Sequence, residues 1–377
     1  MRALASLLAP LALALPLAAN QLHVPGDFAD IQSAIDAAQD GDVIVIHGGT
    51  HPPITIDKSL TLIGDPAPLI LADTLATVTG DYRGPITLEG PGSGRVTLGR
   101  IETGGVTEGQ IFGNSAPGVS GDGFSSLVVF DSIVRAPSWV FLTGIAFGEP
   151  GIDVDVDYVY VERSTIEASA SDTDDCYFFG PDGVPGLNAP GTVALFDSTV
   201  TGGSASVSYY CLPAPFCDCP PGGLGGPGVV AQAVLRAGNT LSGGAGVQWE
   251  DAYGNVCCTK SDGAPLQVAQ DTVLPNDVAG SGPFDFGQPY TLDPSAAPTS
   301  SVLFLISKGV GTPVEFPGLG WSFLNFGIFN TVGVFGPAPA TFPLGANPIL
   351  IGKELVAQYF DLTNLRFLRP VSGVLLP

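Results

Sequence analysis

Three segments, LVVFDSIV (Leu127–Val134), VYVERSTI (Val159–Ile166) and VALFDSTV (Val193–Val200), match position by position. Each has apolar residues first, third and eighth, Ser sixth, and a polar bend between. A fourth, AVLRAGNTL around Leu235 to Leu241, fits if its bend is one residue longer. The anchors Val134, Ile166, Val200 and Leu241 stand 32, 34 and 41 residues apart, within the range of periods that marks repeat architectures. Such spacings are long for one rung, so loops must project from each turn. Alternating apolar positions also suit a β-sandwich, which stays open for this middle region. If the segments stack as rungs, Asp131, Arg163 and Asp197 form a column about 4.8 Å per step, a guanidinium between two carboxylates on an exposed bend. Each such ion pair is worth only about 0–1 kcal/mol.

Towards the N-terminus, Ile31, Ala34, Ile35 and Ala38 keep helical spacing on one face, with Asp30 placed to cap the helix and Gly41 to end it. Val43–Ile46, then Ile54 with Ile56 and Leu60 with Leu62, read as short strands. A small helix before short strands suits the capped end of a solenoid, whose first rung otherwise exposes its core. The residues Gly26-Asp27-Phe28, Ile31-Gln32, Ala34-Ile35, Gly41-Asp42, Gly48-Gly49-Thr50 and Leu62-Ile63-Gly64-Asp65 resemble the N-terminal cap and first rungs of the pectate-lyase-like superfamily. That resemblance implies an all-β fold, a right-handed parallel β-helix with a short capping helix, over residues 20–300. The superfamily includes lyases, esterases and epimerases, so it fixes no chemistry.

Met1 and Arg2 precede the apolar run Ala3–Ala19, which ends in small residues and reads as a signal peptide over 1–19, with export as its consequence. No later apolar stretch is long enough for a membrane span. Six cysteines, Cys176, Cys211, Cys217, Cys219, Cys257 and Cys258, fall in one stretch. An even count in an exported chain predicts disulfides, with 15 possible pairings. With 36 acidic against 13 basic residues the net charge is -23, which repels nucleic acid and anionic lipid. Abundant Gly and Pro argue for many turns. Near residue 300 the composition becomes rich in Phe, Leu and Gly. The tail Phe342-Pro343-Leu344-Gly345-Ala346-Asn347-Pro348, Leu350-Ile351-Gly352-Lys353 and Val356-Ala357-Gln358-Tyr359 resembles a C-terminal module of secreted planctomycete proteins. Residues 301–377 are thus expected to form a small β-sandwich-like unit.

Candidate chemistry is sparse. His23, His47 and His51 all fall in the cap, where no Ser/His/Asp triad is credible. Gln270-Asp271-Thr272 and Phe284-Asp285-Phe286-Gly287 are similar to segments of pectin esterases, but the downstream Arg-Pro-Trp segment of that family is missing. Asp153, Asp155 and Asp157 alternate on a strand, so their carboxylates share a face about 6.5–7 Å apart, too far for one ion to take all three. Calcium is the cofactor they fit, given further oxygens from a neighbouring rung. Two functions follow. One is a secreted or cell-surface β-helix protein that binds or displays without catalysis, its partner an extracellular polysaccharide or cell-envelope component. The other is a carbohydrate-active enzyme, a calcium-dependent lyase or epimerase on acidic glycan, with Arg163 as base.

Overall fold

The computed structural model describes residues 19–72, 84–104, 106–109, 116–141, 145–146, 148–173, 182–206, 223–250, 256–280, 283–285, 287–293, 302–325, 329–335, 340–343 and 350–377. The body is a parallel β-solenoid. Most turns place short strands on three parallel ladders, called here the first sheet (with Val43–Ile46 and Ser126–Phe130), the second (with Ile54–Ile56 and Ile152–Asp155) and the third (with Ile133–Arg135 and Thr199–Thr201), and equivalent strands of successive turns pair in parallel; the long strand Val229–Ala237 runs through both second and first. On the first sheet Val43, Thr61, Thr97, Val128, Tyr160, Ala194, Leu235 and Thr272 succeed one another in register. The three segments LVVFDSIV, VYVERSTI and VALFDSTV are adjacent rungs, each a first-sheet strand, a bend and a third-sheet strand. The fourth also fits without a longer bend. Val234 lies opposite Val193 and Leu241 opposite Val200, with Gly238 and Asn239 in the places of Asp197 and Ser198.

Side chains alternate across a strand, so each rung sends half its residues inwards. Ile44, Leu62, Leu98, Val129, Val161 and Leu195 form the solenoid core together with Ile31, Ala34 and Ile35 of the helix Ile31–Ala37. That helix closes the first turn. Its cap is Asp30, whose carboxylate accepts a bond from the Ser33 backbone N–H at 2.7 Å.

The tail turns antiparallel, and it does so before residue 300. Leu266–Val273 still pairs in parallel with the long strand Val229–Ala237, whereas Ala279–Gly280 is antiparallel to Pro289–Asp293. A four-stranded sheet, ordered Phe329–Phe335, Val302–Lys308, Glu354–Asp361 and Arg366–Val374, is the centre of this part. A hairpin of Val310–Phe316 and Gly320–Leu324 flanks it. Val356, Val374, Leu376 and Phe323 share one cluster with Val128, Phe130, Tyr160 and Phe196 of the solenoid. The tail therefore lies on the outer face of the first sheet. Gly99 is a condition of that seating, because a Cβ there would stand 2.3 Å from Val374. Among the described residues no helix is long and apolar enough to cross a membrane.

Candidate functional site

The bend after each first-sheet strand is where the chemistry of this protein collects. Arg100, Asp131, Arg163 and Asp197 adopt left-handed backbone there, with φ of 54°, 49°, 49° and 47°, and Gly238 continues the series at 70°. That conformation turns the chain sharply between two sheets and costs an L-residue other than Asn or Asp some strain. One residue further on, the hydroxyls of Ser132, Ser164 and Ser198 make an internal ladder. The Ser164 hydroxyl accepts from the Ser132 N–H at 3.1 Å and donates to the Glu162 carbonyl at 3.0 Å. Ser198 repeats this for Ser164, and the Asn239 side chain serves Ser198. The ladder supplies backbone groups that a bend leaves without a partner.

The column Asp131, Arg163, Asp197 forms only in part. Arg163 grips Asp131 with two bonds, from Nε at 2.8 Å and Nη2 at 3.0 Å. Asp197 instead receives both ends of the Arg369 guanidinium, which comes from the tail. The bend expected to face water lies beneath the antiparallel sheet, where Arg369 is a nearer and better desolvated partner. Arg100 makes a third link, from Nη2 to Asp285 at 2.5 Å.

Glu162 is the residue the sequence reading missed. It is fully buried, in a position occupied by Phe130 and Phe196 on the neighbouring rungs. Its carboxylate accepts from Arg163 Nη1 at 2.6 Å, from the Tyr160 hydroxyl at 2.8 Å and from the Ser372 N–H at 3.0 Å. Burial pushes the Glu162 carboxyl above its ordinary value, against the pull of Arg163 and Arg369. For Arg163, burial works against the charge but the carboxylates of Glu162 and Asp131 outweigh it, so the guanidinium titrates even higher than usual. Arg163 also donates to the Ser372 carbonyl at 2.8 Å and lies 6.0 Å from the centre of the Phe284 ring. The signal for Glu162 was legible: an acid stands where both aligned segments carry Phe.

Along the other edge of the same sheet, Arg95 donates to Glu354 at 2.8 Å and to the Val310 carbonyl at 2.6 Å, a second anchor for the tail. Beside it a cleft of about 450 Å³ opens between solenoid and hairpin, with Ser125, Asp157, Tyr158 and Gln270 on one side and Thr312 and Trp321 on the other. Burial pushes the Tyr158 phenol well above its ordinary value.

The three aspartates proposed for calcium are not brought together. Asp153 and Asp155 lie on the outer face of the second sheet, in an open groove of about 670 Å³ with Asp122 and Asn188. Asp157 lies past the corner, in the cleft beside Tyr158. Asp153 accepts from the Asn188 side-chain amide at 2.8 Å. Among the described residues, no group of three or more His, Cys, Asp or Glu side chains is arranged to hold a metal. Neither aspartate groove contains Arg163.

The two esterase-like segments do not share a site. Asp271 binds Arg236 at 2.8 Å and Asp285 binds Arg100. In the cap, His23 stacks on His47 with their ring nitrogens 2.9 Å apart, and His51 contacts the Gly48 carbonyl at 2.8 Å. Cys258 is disulfide-bonded; Cys176, Cys211, Cys217 and Cys219 lie outside the described residues, as does the signal segment up to residue 18. No protein-family model, curated protein or solved structure matches this chain.

Proposed function

We propose that this is an exported β-solenoid protein with a non-catalytic role, binding an extracellular polysaccharide or cell-envelope component along its side wall. The observation that carries the reading is the commitment of its arginines at the covered sheet. Arg163 is held by Asp131, Glu162 and the Ser372 carbonyl, Arg369 by Asp197, Arg100 by Asp285 and Arg95 by Glu354. A lyase needs a base beside its bound uronate, and Arg163 is spent on fastening the tail. The charge of -23 also opposes an anionic polymer. The test is to incubate purified mature protein with polysaccharide extracted from the producing cells. Retention on the polymer without release of unsaturated uronide product is expected, and steady formation of that product overturns the reading.

A further inference from the structure

The chain has three histidines in all, and every one lies in the cap, within residues 23–51. Two of them meet across neighbouring rungs. His23 is on the strand Gln21–Val24, and His47 follows the strand Val43–Ile46 that pairs with it. His23 Nδ1 and His47 Nε2 stand 2.9 Å apart, with the rings within 6° of parallel. The contact is open to solvent, the His47 side chain being 40 % exposed, so an ion can reach both nitrogens. At this distance one nitrogen holds a proton and the other offers a lone pair. The Asp65 carboxylate stands 3.9 Å from Nδ1, the other ring nitrogen of His47, and its charge favours the His47 proton on that side. Nε2 is then the lone-pair nitrogen, the arrangement that carboxylates impose on histidines that bind metals. Asp27, which accepts from the His23 backbone N–H at 3.0 Å, adds a second negative charge beside the pair.

Two imidazole nitrogens bound to one ion at about 2.0–2.1 Å each are about 2.9 Å apart when the bonds meet at a right angle and about 4 Å apart when they lie in line. The observed separation is at the near end of that range, so side-chain torsions alone let an ion replace the shared proton. The ligand type selects the ion. Imidazole suits copper, nickel and zinc, whereas calcium and magnesium take oxygen ligands. At a given nitrogen site divalent copper binds tightest of the first-row series, and the charge of -23 draws cations towards the protein. Position supplies the consequence. Gln21–Val24 ends the first sheet and, among the described residues, pairs only with Val43–Ile46, and a strand held on one side is among the first parts of a fold to open. The His47 N–H already donates to the Val24 carbonyl at 2.7 Å, and an ion between the two side chains adds a second tie at the same point.

We propose that His23 and His47 form a two-histidine site for a divalent transition-metal ion, copper before nickel and zinc, with solvent filling the remaining positions, and that the bound ion pins the first strand of the solenoid. Calorimetric titration of the intact mature protein with Cu(II), Ni(II), Zn(II) and Ca(II) tests it, together with electron paramagnetic resonance of the copper form. One Cu(II) per chain is expected, bound more tightly than Ni(II) or Zn(II), showing coupling to two imidazole nitrogens and not displaced by Ca(II). His23→Ala and His47→Ala should each weaken copper binding by at least about tenfold, a loss that even an outer-shell partner of a metal can cause. Metal-free melting curves that match the native protein show that these variants fold. His51→Ala should leave the affinity unchanged, because His51 turns to the Gly48 carbonyl instead. Copper should also slow amide hydrogen exchange over residues 21–24 and not across the solenoid as a whole. Absence of copper binding, binding that survives both variants, or an equal loss in His51→Ala overturns the site. Loss in His23→Ala alone also overturns it and assigns the ion to a chelate of His23 with the α-amine of the chain. Exchange at residues 21–24 unchanged with copper bound overturns the pinning.

Discussion

Two walls of the same solenoid, built by the same turns, have opposite outer surfaces. On the first sheet the strands Ser126–Phe130 and Tyr158–Glu162 are buried at every position. On the second sheet Ile152–Asp155 alternates, with Ile152 and Val154 inside, Asp153 partly exposed and Asp155 exposed. The difference is the tail. A strand covered on both faces must be apolar at both parities, whereas a strand wet on one face keeps one apolar parity. The outer parity of a solenoid strand therefore reports what lies on it, and here Val128, Phe130, Tyr160 and Phe196 announce a partner layer that comes from the same chain. The second wall carries instead Glu89, Asp122 and Asp155 opposite one another on successive strands, which like charge keeps free of a neighbouring layer.

Breaking the contact at the covered wall should have the largest effect. Glu162→Ala leaves the Arg163 guanidinium and the Ser372 N–H short of an acceptor in a buried site, and a loss of about 3–5 kcal/mol is expected in denaturant unfolding. Glu162→Gln keeps the shape and probes the charge. Because burial raises the folded-state value of Glu162, the folded protein holds this proton more tightly than the unfolded chain. Its contribution is present below the unfolded value and is lost as pH rises through the folded one. The variant should remove that decline, and a pH profile of stability identical to that of the native protein contradicts the assignment.

Within the bend the expected effect is smaller. Ser164→Ala removes an acceptor from the Ser132 N–H and a donor to the Glu162 carbonyl, and should cost about 1–3 kcal/mol. A change below about 0.5 kcal/mol by the same measurement means that the ladder does not help hold the register. The smallest effect belongs to the uncovered wall. Asp122→Asn relieves repulsion between exposed carboxylates and should change stability by no more than about 0.5 kcal/mol, in the stabilising direction and only at low salt. A large loss there would make the two walls alike and end the comparison.

The repeat LVVFDSIV, VYVERSTI, VALFDSTV, the capping helix behind Asp30 and the parallel rungs were legible because each rests on local spacing: alternation on a strand, 3.6-residue spacing on a helix, a recurring bend. The bend column was legible for the same reason, down to the pairing of Arg163 with Asp131. What the sequence could not supply is which surface of the solenoid would be wet. That depends on Val356, Ser372 and Val374 meeting strands some two hundred residues earlier, and no local pattern encodes a contact at that separation. So Asp197 pairs with Arg369 of the tail rather than with Arg163, and the corner after Asp155 sends Asp157 to another cleft than Asp153 and Asp155. Spacing along the chain determined the rungs; docking of the tail decided which of their charges are structural and where a cleft remains.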